Sequence, residues 1–165
     1  MEEAVKASAA LTECRYTMNP ALSPLGEKWV PREARNIASA RRFVRDVAAD
    51  WNAMGDVPEI AELLTSELVT NAMAYGSGDT STVSPIRITV SGEKELLTVD
   101  VHDSCIAVPR MRRAGDLEVS GRGLAIVQEL SRNWGWTLNP YGKSVWFQLV
   151  AWRRMPGVAS AGGGD

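Results

Sequence analysis

In ELVTNAMAYG, residues 67–76, a carboxylate and an amide stand four positions apart, Glu67 and Asn71, in line with Ile60 and Leu64. At about 100° per residue these four positions run along one helical stripe. A stripe that is otherwise apolar must give its polar members a partner, either backbone and solvent near the helix end or a ligand held by both side chains. Asn supplies an amide oxygen suited to a hard cation such as magnesium, and Glu can orient or deprotonate a hydroxyl. The helix alone leaves both readings open.

The surroundings limit the ligand. With 165 residues and 45% hydrophobic content, the chain suits one domain with a real core. Its formal charge is -2, its sequence pI is near 5.5, and basic residues are scattered among acidic ones. No basic footprint for nucleic acid or an anionic membrane results, so small molecules and proteins are the expected partners. Cys14 and Cys105 lack metal spacing, and the chain opens on no signal-like segment. No apolar run approaches the ~20 residues that span a bilayer, so a cytoplasmic protein with reduced thiols is expected. Residues 1–10 and 153–165 read as loose tails, small, polar or Gly-rich, around a single domain over 11–152.

Working outward from the central helix, which is expected over Pro58–Tyr75, Gly76 and a polar loop end it. A preceding helix is expected over Arg32–Trp51, where Ile37, Ala40, Val44 and Val47 recur at helical spacing behind Pro31. A short strand is expected near ECRYTM (residues 13–18), followed by a connection punctuated by Pro and Gly. After the central helix, PIRITVSG and ELLTVDVHD alternate as an antiparallel hairpin. The segment SCIAVPRMRRAGDLEVS is long for a connection inside a domain. A helix at GRGLAIVQELSRN and a hairpin of WGWTLNP with KSVWFQLVAW close the chain. This order predicts a two-layer α/β (α+β) sandwich, with helices on one face of a mostly antiparallel mixed sheet.

Two further features carry chemistry. Asp103 ends a strand, where a carboxylate can accept from an exocyclic amine or simply shape a turn. In SGRGLAIV, residues 120–127, glycines at a helix start can bring backbone N–H groups to phosphate oxygens, or serve as cap and turn. A Rossmann fingerprint fails for want of a third glycine and a preceding strand. Gly142-Lys143-Ser144 is no P-loop, because Thr137 stands at its first glycine and a strand follows.

In this order, helix-borne Glu and Asn, Asp at a strand end, a lid-length connection, Gly-X-Gly at a helix start and GKS before the last strand, the chain resembles the GHKL ATPase superfamily. That group includes gyrase, heat-shock chaperone, histidine kinase and mismatch-repair ATPase. Within it the chain is similar to the small anti-sigma-factor serine/threonine kinases and their actinobacterial relatives, over about residues 32–150. ELVTNA and GRGLAIV are the most specific parts. The resemblance implies a Bergerat-type ATP-binding fold that takes ATP and Mg2+. It makes Asn71 the magnesium ligand, Glu67 the general base and Asp103 the adenine-reading carboxylate. Gly121, Arg122 and Gly123 become the phosphate-contacting box, with Leu124 beginning the helix beneath them. Residues 106–119 become a nucleotide lid, and Ser144 the hydroxyl that supports the adenine site. Two departures from the family stand out: Cys105 and Ala107 replace glycines of its first box, and Tyr75 stands where relatives often carry histidine.

The function so implied is transfer of the ATP γ-phosphate to Ser/Thr of an antagonist protein, with sequestration of a sigma factor. A homodimer is plausible from the family. The alternatives are an ATP-sensing or nucleotide-independent interaction module without phosphotransfer, which Cys105 favours, and a split histidine kinase, for which no dimerisation and phosphoacceptor helix pair is evident. His102 is expected on the strand face opposite Asp103. Trp134, Trp136 and Trp146 are expected in core or cross-strand roles. Arg110, Arg112 and Arg113 either reach phosphates or are solvated, and Arg41, Arg42 and Arg45 either bind partners or form a solvated basic face.

Overall fold

Alternation of period two builds the centre of the sheet, and helical periodicity builds the layer above it. A computed structural model describes residues 22–75, 84–103, 121–139, 142–154 and 156. Its strands are β1 (Ser23–Val30), β2 (Ile86–Glu93), β3 (Leu96–Asp103), β4 (Asn133–Asn139) and β5 (Gly142–Val150). Its helices are α1 (Ile37–Asp50), α2 (Val57–Tyr75) and α3 (Gly121–Leu130), with a 3-10 turn at Ala34–Asn36. The expected strand at ECRYTM, Cys105, Ala107 and the lid at 106–119 lie outside the described residues.

The five strands lie in the order β1-β2-β3-β5-β4. All four pairings are antiparallel, so the sheet is not mixed among the described residues. On the covered face Ile86, Ile88 and Val90 of β2 meet Leu97, Val99 and Val101 of β3, then Phe147 and Leu149 of β5. Above them α1 packs on β1 and β2, α2 on β3 and β5, and α3 on α2 and β4. Side chains such as Phe147, Leu64, Leu68 and Ile88 are fully buried, each contributing roughly 1.5–3 kcal/mol. The result is the expected two-layer α/β sandwich. No helix among the described residues is long and apolar enough to cross a membrane.

Two boundaries differ from expectation. SPLGEKWV was expected as connection, yet it forms edge strand β1, with its register shifting between Pro24 and Gly26. Proline is tolerated there because an edge strand has one side outside the ladder. Gly26 suits close packing: a Cβ would sit 3.0 Å from the Phe43 ring and 3.1 Å from Val47, so those side chains would have to give way. The helix expected from Arg32 starts at Ile37, because Glu33 is extended at φ -137°, ψ 136° and a 3-10 turn intervenes. Within α1, Ala40, Val44 and Ala48 are fully buried at i, i+4 spacing.

The last hairpin gives the tryptophans different places. Trp134 packs against the core, Trp136 is half exposed, and Trp146 lies opposite Gly135 on the open face. A Cβ on Gly135 would come within 2.6 Å of the Trp146 ring. Gly135→Ala is therefore expected to cost about 1–3 kcal/mol through overpacking, read as a lower denaturation midpoint. An unchanged midpoint would mean that the indole swings away freely.

Candidate functional site

The buried stripe of α2 runs through Ala61, Leu64, Thr65, Leu68 and Val69. Glu67 and Asn71 are half-buried along its border, not inside it as the spacing with Ile60 and Leu64 suggested. The stripe leans toward β3 and β5, which shifts its centre by one position and leaves these two polar groups at the seam. They keep access to solvent without leaving the packed layer. The ion pairs formed among the described residues leave Glu67 out.

Asp103 closes β3 on the covered face of the sheet, in one row with Val30, Ile86 and Lys143. It is 9% exposed. Its carboxylate Oδ1 accepts from Nη2 of Arg32, in an ion pair whose side chains are 9% (Arg32) and 12% (Asp103) exposed. The same guanidinium donates from Nη1 to the carbonyl of Ala72 at 2.8 Å. Ala72 follows Asn71 and belongs to the last turn of α2, where carbonyls have no intrahelical donor. That turn contains no basic residue of its own. Arg32 supplies both the missing donor and a positive charge at the helix C-terminus.

Gly121, Arg122 and Gly123 form the first turn of α3, which begins at Gly121 as the expected helix GRGLAIVQELSRN does. Their N–H groups are among the helix's four amides without intrahelical acceptors, so the glycines bring donors and a favourable dipole to the end that can meet an anion. Leu124 is half-buried against the core and Val127 fully buried, which anchors the helix on α2.

Ser144 is placed away from this cluster. It pairs with His102, and alternation puts both on the open face while Asp103 faces the helices. Its Oγ lies 2.9 Å from His102 Nδ1 and 3.4 Å from Asp100 Oδ1. With the hydroxyl hydrogen directed to Asp100, Nδ1 of His102 donates to Oγ. Ser144 has no exposed surface, so this trio offers no accessible nucleophile. Ser144→Ala is expected to lower stability by about 1–3 kcal/mol by stripping a partner from His102 and Asp100. It should leave nucleotide affinity unchanged, and a clear loss of affinity in titration would put Ser144 back in the base site.

Arg32 thus ties the end of β3 at Asp103 to the last turn of α2 beside Asn71, and α3 packs on α2. Among the described residues no group of three His, Cys, Asp or Glu forms a metal cage. Asn71 would contribute one amide oxygen to a magnesium ion, a donor type that suits this hard cation. Arg32 was missed as a site residue because 71 positions separate it from Asp103, and only its place behind Pro31 marked it. The Arg41 and Arg45 side chains are about half exposed, at 45% and 47%. Arg45 pairs with Glu62 at 3.2 Å and Glu59 at 3.9 Å, and Arg41 with Glu62 at 3.9 Å, linking α1 to α2.

Compared with known protein families, residues 30–149 match a model described as "Histidine kinase-like ATPase domain". No curated protein matches the chain.

Proposed function

Because the chain belongs to the histidine kinase-like ATPase family, an ATP-binding fold, we propose that it binds magnesium-ATP across the α2–β3–α3 junction. There it transfers the γ-phosphate to a serine or threonine of an antagonist protein, and it sequesters a sigma factor. The observation that carries this reading is the pair Glu67 and Asn71, one helical turn apart at the seam of α2 and half open to solvent.

Asn71 would hold magnesium through its amide oxygen. When bound, the ion supplies neutralisation of charge across the phosphates. Glu67 takes the proton of the attacking hydroxyl, being close enough in height on the helix to act beside Asn71. Backbone amides at Gly121 and Gly123 donate to phosphate oxygens, and donors fixed in a helix need no reorganisation as charge develops. Asp103 accepts from the exocyclic amine of the base.

Labelled ATP, magnesium and candidate antagonist proteins, incubated with the chain, test the reading. Stable phosphoserine or phosphothreonine on an antagonist is the expected product, and acid-labile label would point to phosphohistidine instead. Cys105, standing where the family's first box has glycine, favours a second reading, an ATP-sensing or nucleotide-independent interaction module without phosphotransfer. If ATP neither binds nor labels anything while a partner is still captured, that second reading stands.

A further inference from the structure

We propose that Arg32 is a positioning residue for base recognition, clamping the Asp103 carboxylate to the last turn of α2 through one buried guanidinium. The inference rests on the nucleotide reading of the site. Arg32 lies in the bend between β1 and the 3-10 turn, where the Glu33 N–H donates to the Pro31 carbonyl at 2.8 Å, and belongs to no helix or strand. From there its two terminal nitrogens reach two different elements, Nη2 to Asp103 of β3 and Nη1 to the Ala72 carbonyl of α2. The fork geometry of guanidinium makes such a double attachment directional, which a lysine ammonium cannot reproduce.

The cost of burying two charges argues that the pair does more than hold the fold. Apolar residues of similar volume serve packing at least as well as a buried ion pair. What the pair supplies instead is a fixed carboxylate. Asp103 is the last residue of its strand, with residues 104–120 beginning immediately after it. A carboxylate at a strand end swings about its side-chain bonds unless something holds it. Arg32 holds it through one oxygen, and ties that oxygen to the carbonyl next to Asn71. The base-reading group and the turn beside Asn71 are thereby linked by one residue that acts through Asp103.

The test is the affinity ratio of ATP to ITP, measured by equilibrium titration on the full chain. ITP carries a keto oxygen where ATP carries the exocyclic amine, so the ratio reads the carboxylate and not the phosphates. Wild type is expected to prefer ATP roughly tenfold or more, the worth of one hydrogen bond to a charged group. Asp103→Asn should abolish that preference. Arg32→Ala and Arg32→Lys should each lose most of it while retaining the affinity that comes from the triphosphate. Thermal melts identify variants that are folded, and if Arg32→Ala is not, Arg32→Lys decides by the same ratio. A wild-type ratio in the folded Arg32 variants, or tighter ATP binding by them, overturns the clamp. If wild type shows no preference that Asp103→Asn removes, the base reading of Asp103 has failed, and the clamp with it.

Discussion

Glu67→Ala is expected to slow phosphorylation of the antagonist by about 10²–10⁴-fold, the range for loss of a positioned general base. ATP affinity and melting temperature should stay near their wild-type values. The separation of effects follows from where Glu67 sits. It is half-buried at the border of the α2 stripe, and no ion pair among the described residues depends on it. Truncation therefore leaves no buried partner stranded, and alanine is a good helix former at that position. Single-turnover transfer of labelled phosphate, run beside a nucleotide titration and a melt, reads the three quantities independently. Transfer within a few-fold of wild type would remove Glu67 from the chemistry. A large drop in melting temperature would instead make it a structural member of the helix.

Asp103→Ala is expected to behave in the opposite way, lowering stability by about 3–5 kcal/mol because it strands a buried guanidinium. The Arg32 side chain is only 9% exposed, so water cannot replace the lost carboxylate in place. Adding Arg32→Met to Asp103→Ala should recover most of that loss, since the uncompensated charge goes with it. Chemical denaturation of the two single variants and the double variant measures the coupling. Additive losses would show that the two residues contribute separately and that the ion pair is not the connection between them. Nucleotide affinity should fall in both variants that lack Asp103, whatever their stability.

Much of this architecture is legible in the sequence because local patterns are strong where one face is buried. The alternation in IRITVSGE and LLTVDVHD locates β2 and β3 within a residue or two. The recurrence of Ile37, Ala40, Val44 and Val47 marks α1, and that of Ile60 and Leu64 marks α2. The signals fail where a residue is chosen for a distant neighbour. Pro24 and Gly26 look like breakers, yet they suit an edge strand that bends against Phe43 and Val47 of α1. Gly135 lies inside the expected strand WGWTLNP, where no local pattern shows that it makes room for the Trp146 ring across the ladder.

The candidate site divides along the same line. Glu67 with Asn71 and Asp103 are visible as polar residues at helical spacing and at the end of an alternating strand, and Gly121 with Gly123 as a helix start. Their chemistry follows from residue type and periodicity, which are local properties of the chain. Only the tertiary structure decides that Ser144 faces away from Asp103, because one step of strand register reverses the direction of every side chain. Only it brings Arg32 to Asp103 and to the carbonyl of Ala72. A buried charge takes whatever partner the packing of distant segments puts within reach, and no period in the sequence records that distance.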